Sequence, residues 1–310
     1  MMRYVLNRFI VSLLTIWVVI TIIFFLIRFL PGDPFTSDRE VPARIRANML
    51  ARFGLDKPLH QQYFLYLWNL VTKGDMGPSM KYEARSVSAI IAYSFPASAK
   101  IGLLVVIASV VAGVNMGIVA ALNHGRFTDR FFMVLTTLGV TVPSFVLANL
   151  LILTFSLKFR ILPPTGYGQA RHLVLPVIAL AGYSTAFITR ITRSKYLEVV
   201  KQDYIRTARA KGLSRAAVVF KHVMRNSMIP VVTYLGPLVA AVLTGSFVVE
   251  TIFAIPGLGR EFVLSINNRD YTMVLGVSIF YSCLIILCNF VVDMLYVLID
   301  PRIKFENAES

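Results

Sequence analysis

Six stretches of this chain contain no Asp, Glu, Lys, Arg or His: Phe9–Ile27, Ile101–Leu122, Phe131–Leu157, Leu173–Thr189, Asn226–Val249 and Tyr271–Val292. Their lengths are 19, 22, 27, 17, 24 and 22 residues, against the roughly 20 that a helix needs to cross bilayer hydrocarbon. A chain of 310 residues that is 56% hydrophobic and only 15% charged cannot hide six such runs in one soluble core. In lipid every backbone polar group must be paired within the structure, so the runs are expected to be helices. The fold class read from the sequence is therefore all-α, a polytopic membrane protein with six transmembrane helices. The first run carries fifteen residues of the Leu/Ile/Val/Phe type, worth roughly −5 to −9 kcal/mol of insertion. The fourth carries eight, roughly −2 to −5 kcal/mol, and also holds Pro176 and Gly182. It is expected to rely on its neighbours and to sit inside the bundle.

The formal charge of +15 would suggest nucleic acid on a soluble chain. Its distribution points to membrane orientation instead. With the N-terminus in the cytosol, the inner side collects sixteen Lys and Arg, ten of them between Arg190 and Arg225, whereas the short outer loops hold five. Eight more, from Arg39 to Arg85, lie in an outer segment too long for the positive-inside rule to count. Both termini and the stretch Glu198–Pro230 are thus expected in the cytosol, and no nucleic acid is expected as a partner. Arg3 and Arg8 before the first run resemble a secretory signal. The run is too long for a signal core, however, and Leu30-Pro31-Gly32-Asp33-Pro34 offers no small-residue cleavage site, so it is read as a retained helix. Cys283 and Cys288 stand five apart on a helix and face different directions, and four scattered histidines share no ligand spacing. No disulfide framework or metal site is expected.

Along the chain, residues 1–30 hold the N-terminus and first helix, and 31–97 form an extracytoplasmic segment. Residues 98–300 form the core with helices two to six, and 301–310 a cytosolic tail. The outer segment is expected to contain helices at Ala43–Phe53, from Pro58 to about Thr72, and at Ser86–Tyr93. Tyr63, Phe64, Tyr66 and Trp68 suit either a helix lying at the membrane rim or a docking face for a soluble partner. Gly113 and Gly117 form a GxxxG pair that lets another helix approach closely. Pro143-Ser144 and Gly236-Pro237 loosen the third and fifth spans, as pore-lining kinks or as ordinary packing kinks.

No span has an ionisable residue near its centre, because Glu250 falls at the outer end of the fifth and Asp293 at the inner end of the sixth. Asp293 beside a basic cytosolic rim reads as a structural ion pair rather than a relay. A secondary carrier driven by protons or sodium is disfavoured by those empty centres. The chain has no phosphate-binding GxxxxGK[ST] loop, and no HExxH or GxSxG motif of a membrane hydrolase. It is not read as an enzyme. A transporter without an energy source of its own needs a motor subunit.

The cytosolic stretch Glu198–Pro230 offers a place to attach one. Val199, Val200, Tyr204, Ile205, Ala208 and Leu213 recur at roughly the spacing of one helical face. Gly212 is placed for a left-handed C-cap, and Ser214 can cap a second helix running through Val218, Val219, Phe220 and Val223. Positive-inside bias accounts for the charge of this loop but not for its helix–Gly–Ser–helix punctuation.

Tyr204-Ile-Arg-Thr-Ala-Arg-Ala-Lys-Gly212-Leu resembles the coupling loop of ABC-importer permeases of the dipeptide/oligopeptide group. Aligned on Gly212, the chain keeps Ala208 of the general pattern but has Arg206 and Thr207 for its Glu-Ala. It also has His222, Met224 and Arg225 for its Ile, Leu and Pro. Leu30–Pro34, Gly54-Leu-Asp-Lys-Pro58, Glu250–Gly259, Asn268-Arg-Asp-Tyr271, Asp293-Met-Leu-Tyr296 and Asp300-Pro-Arg302 look like the same group. Pro34-Phe35-Thr36 and Met76–Tyr82 look most like the B-type subunit of the oligopeptide permease. Dipeptide, glutathione and nickel importers of the group are the alternative.

The resemblance implies a type I importer permease fold with an extracytoplasmic insertion after helix 1, in a bacterial plasma (inner) membrane. It implies a second, C-type permease subunit, two cytosolic ABC ATPase subunits and an extracytoplasmic peptide-binding protein. It also implies that ATP and Mg are bound by the ATPases, with no cofactor on this chain. Cytosolic loop 190–229 would carry the coupling contacts, at Tyr204, Ala208, Arg209, Ala210, Lys211, Gly212, Leu213 and Ser214. Ala208, Ala210 and Gly212 would allow close backbone approach to the ATPase.

Overall fold

A computed structural model describes residues 2–29, 42–82, 85–214 and 217–299. The expectations for Leu30–Pro34, Pro34-Phe35-Thr36, the Asp293 side chain, Asp300-Pro-Arg302 and the tail fall outside what is described. Among the described residues the chain is helical, with an isolated bridge between Pro78 and Ser86 in place of any strand. Among these residues four helices are long and apolar enough to cross a membrane, or up to six if each of two bent pairs counts as one span.

The chain divides into two compact units. The first comprises Met1–Pro96 with Gly257–Phe290. It contains α1 (Met2–Phe29), α2 (Ala43–Arg52) and α3 (Leu59–Lys73). It also contains the first turns of α4 (Val87–Leu122), α12 (Leu258–Asn267) and most of α13 (Tyr271–Ile299). Pro42 and Pro58 open α2 and α3 as expected, and Gly74 closes α3 in the left-handed conformation at φ 62°. One face of α3 packs on α1. Tyr63 is buried, its hydroxyl 2.7 Å from Thr21 Oγ1 and its ring 5.3 Å from that of Phe24. Phe64, Trp68 and Val71 stay exposed on the other face. The helix expected at Ser86–Tyr93 is not separate. It is the start of α4, which runs 36 residues through Pro96 into the second span.

The second unit comprises Ala97–Pro256 with Val291–Ser310. It holds the rest of α4, then α5 (Phe127–Thr141) and α6 (Ser144–Leu151), which continues as a π-helix over Ile152–Lys158. The third apolar run is thus divided between two helices bent by 108°. Val142, which precedes Pro143, is pushed into the extended region (φ −82°, ψ 118°) and cannot continue α5. α7 (Ala170–Val199) passes the end of the fourth apolar run by ten residues. Half of its most apolar window is buried, against 17–28% in the other continuous spans, so the weakest run does lie inside. The fifth run also divides. α10 (Ile229–Leu243) ends before Gly245, at φ 80°, and α11 (Phe247–Ile252) begins a new direction. Glu250 in α11 is 2% exposed, with its Oε1 accepting from Ser98 Oγ at 2.7 Å. An outer-end carboxylate read from the sequence is in fact buried.

Lipid gives apolar side chains no reason to leave it, so span–span contact depends on close packing and polar bonds. The GxxxG pair of α4 lies against α7. A Cβ on Gly117 would come 2.6 Å from Thr192 Cβ and 2.8 Å from the Thr189 carbonyl, and one on Gly113 2.8 Å from Ile188 Cβ. Gly117→Ala is therefore expected to cost about 1–3 kcal/mol and lower the melting temperature in detergent. Gly168→Ala, with nothing within 4 Å of its Cβ, should leave it unchanged. Equal melting of the two variants would defeat the close-contact account.

Candidate coupling site

α7 stops at Val199, and Val200–Gln202 turn the chain into α8 (Asp203–Ala210). Val199 and Val200 therefore end a long span instead of opening the knob's first helix. Asp203 in the first turn of α8 and Arg209 in the last both suit the helix dipole. The end of α8 is closed by a Schellman pair: Leu213 N–H donates to the Ala208 carbonyl at 3.4 Å, and Gly212 N–H to that of Arg209 at 3.0 Å. Gly212 takes φ 78°, which a side chain would strain. Ser214 then caps the next helix, accepting at Oγ from Ala217 N–H at 3.2 Å. That helix, α9, is π-helical over Val218–Val223 and α-helical over Met224–Ser227, and meets α10 at a 45° bend.

The knob is fastened on its inner face. Ile205 (0% exposed) and Ala208 (6%) share a buried cluster with Ala121, Tyr196, Val199, Val218 and Val223. The Asn226 amide of α9 donates to the Tyr204 hydroxyl at 2.7 Å. Of the eight residues expected at the site, seven are exposed: Tyr204, Arg209, Ala210, Lys211, Gly212, Leu213 and Ser214. Ala208 is buried, and its small side chain packs α8 onto its own bundle. Phe220, on α9, is 75% exposed. With Leu213 and Tyr204, at 42% and 43%, it adds apolar surface to an otherwise cationic knob. The Arg206–Asp203 pair, at 3.6 Å and almost fully exposed, contributes little.

Sequence reasoning missed the fastening at the base of the knob. Asp129, in the first turn of α5, is 2% exposed. Its Oδ1 accepts from Arg193 Nε at 2.6 Å, and its Oδ2 accepts from Arg193 Nη2 at 2.8 Å and from Gly125 N–H at 2.9 Å. Arg193 Nη2 also lies 3.0 Å from His124 Nδ1. One turn earlier, Arg190 donates to Thr136 Oγ1 at 3.0 Å and Thr137 Oγ1 at 2.8 Å. Arg190 and Arg193 had counted only toward inside charge. The available signal was the lone Asp129 between Arg126 and Arg130 at a span's start.

The chain's two parts match two family models. Residues 113–305 match the binding-protein-dependent transport system inner membrane component, and residues 1–109 match the N-terminal membrane component of the same systems. The chain belongs to this family of ABC-importer permeases, within the dipeptide/oligopeptide group that its motifs resemble. It is 44% identical over 304 residues to the dipeptide transport system permease protein DppB of Bacillus subtilis, covering 98% of each chain. It is 44% identical to the oligopeptide transport system permease protein OppB of Haemophilus influenzae, and 41% to that of Escherichia coli. Each of these matches covers 98% of this chain and 100% of the relative. The crystal structure of an amino acid ABC transporter with histidines shares the fold, at TM-score 0.51 and 19% identity. It covers 67% of this chain and 93% of that one. The chain is thus a multi-pass inner-membrane permease subunit and carries no catalysis of its own.

Breaking one partner of a buried ion pair costs about 3–5 kcal/mol, so Asp129→Asn and Arg193→Gln should each lower thermal stability. Together they should cost clearly less than their sum. An additive double variant would show that the two groups do not hold each other.

Proposed function

We propose that the chain forms half of the pore of an ATP-driven oligopeptide importer, with both termini in the cytosol. Its partners are a second, C-type permease, two cytosolic ATPases that bind ATP and Mg, and an extracytoplasmic peptide-binding protein. The observation that carries this reading is the match over 98% of the chain to peptide permeases; it is supported by a knob whose inner side is packed on α7 and α9. Identity does not separate the dipeptide from the oligopeptide relatives, at 44% each. Met76–Tyr82 and Pro34-Phe35-Thr36 favour the oligopeptide side.

Arg209, Ala210, Lys211, Gly212, Leu213 and Ser214, with Tyr204 at their flank, seat the knob on the ATPase. Because Ile205 and Ala208 bury the knob's other side, a tilt imposed by ATPase closure moves α8 together with the foot of α7. That is a two-state element biased by a ligand bound elsewhere.

Gly212→Glu tests the seat. The space around Gly212 is open and only its φ is unusual, so the variant should insert and assemble. In vesicles with all subunits it should lose about tenfold of the peptide-stimulated ATP hydrolysis, within the usual range of coupling free energies. Unchanged stimulation would remove this loop from the ATPase contact. Orientation has its own check: a cysteine placed at Arg209 should react with an impermeant maleimide only from the cytosolic side. Labelling from outside would invert the topology.

A further inference from the structure

Away from the knob, in the first unit, a half-open cavity of about 400 Å³ is lined by Tyr82, Arg85, Tyr93, Ser94 and Glu261 among others. That volume lies within the range of small-ligand sites. Three elements supply the walls: the loop after α3, the first turns of α4 and the first turn of α12.

The walls are fixed by packing. Val87, Ile90 and Ile91 of α4 share a buried cluster with Leu258 of α12 and with Met273 and Val277 of α13. Gly276 makes room for it, since a Cβ there would meet Val87 Cγ1 at 2.4 Å. The loop is tied down by Asp270, which is 1% exposed and accepts from Ser79 Oγ, from Met80 N–H at 3.2 Å and from Met273 N–H at 3.0 Å. Ser79 Oγ in turn accepts from Tyr82 N–H at 2.9 Å, and Ser79 N–H donates to the Arg85 carbonyl at 3.0 Å. Tyr82 and Arg85 are therefore held where they are before any ligand arrives.

The charges in this cavity do not cancel each other. Tyr82 Oη donates to Glu261 Oε2 at 3.3 Å. Burial and the neighbouring Glu261 carboxylate push the Tyr82 phenol up, which keeps it a donor. Glu261 Oε1 has no partner among the described residues, and neither has the Arg85 guanidinium. One cavity thus presents an acceptor for a cation, a donor for an anion or carbonyl, and two tyrosine rings, one of them (Tyr93) 77% exposed. A ligand matching all three carries an ammonium, carbonyl or carboxylate oxygens a few bonds away, and an apolar side chain between them.

We infer that this cavity receives the amino-terminal end of the transported peptide. The ammonium sits on Glu261, the first side chain lies against Tyr82 and Tyr93, and Arg85 takes the carbonyl oxygens that follow, or the carboxylate of a very short peptide. The inference rests on the peptide-import reading above, under which these residues face outside.

The test is binding of trialanine and of N-acetyl-trialanine to the complete permease–ATPase complex in nanodiscs, without binding protein, followed by saturation-transfer NMR. The parent complex should bind trialanine about tenfold or more tightly than the acetylated form, the scale of a charge-assisted hydrogen bond. Glu261→Gln should erase that preference and leave the acetylated peptide unaffected. Arg85→Gln, at an exposed position, should weaken both peptides and serves if Glu261→Gln misassembles. Absence of binding, absence of a preference, or equal weakening of both peptides by Glu261→Gln would each overturn the assignment; the last would point to a protein-docking role. Peptide-stimulated ATP hydrolysis with binding protein present, measured on the same parent complex, tests the import reading separately.

Discussion

Two glycines one helical turn apart on α4 set how closely that helix lies against α7. At Gly113 and Gly117 the facing atoms of Thr185, Ile188, Thr189 and Thr192 stand 2.6–3.0 Å from where a Cβ would be. No methyl fits there. In water, a helix as weakly apolar as α7 could be held by burying its better face. In lipid that incentive is missing, so contact distance and polar bonds carry the association. The same economy recurs at Gly102 against the Val242 carbonyl and at Gly139 against that of Gly182, where an added methyl would stand 2.8 Å from the oxygen in each case. α7 is thereby held against its neighbours, and its C-terminal foot is where the knob begins.

A rigid foot matters because the chain has no local energy source. The Asp129–Arg193 pair and the Arg190 bonds to Thr136 and Thr137 join the end of α7 to α5. Ile205 and Ala208 join α8 to the same foot. A force applied to Arg209–Ser214 thus reaches two span ends through packed side chains and charge-assisted bonds rather than through a loop. Slack at any of these contacts would dissipate a displacement before it reached the membrane.

Local rules made much of this legible in advance. The helical character of the apolar runs, the inner position of the weak fourth run, the GxxxG contact, the left-handed Gly212 and the Ser214 cap each follow from a few neighbouring residues, and each is present. The misreadings are those where a distant contact decides. Ala208 fits a motif as a contact residue, but only its place beside Ala121, Tyr196 and Val223 shows which way it faces. Val142 ends α5 by a local rule, yet no local rule gives the 108° turn that follows. Ser86–Tyr93 is expected as a separate helix, whereas α4 accommodates Pro96 and runs on. Asp129 and Glu250 lie at run ends, where composition predicts water, and partners 64 and 152 positions away remove them from it.

The first unit shows how two separate motifs become one structure. Met76–Tyr82 and Asn268–Tyr271 are nearly 190 residues apart, and each alone reads as a turn. Asp270 joins them, capping α13 through Met273 N–H while holding Ser79 and Met80. Thr272 Oγ1 adds a bond to the Pro78 carbonyl at 2.7 Å. These bonds from two separate stretches fix the loop that carries Tyr82 and Arg85. Residues that appear only to end one helix and begin another therefore set the position of the cavity's charged wall. The cavity wall is prearranged by hydrogen bonds, as the knob is by the Schellman turn and its buried alanine.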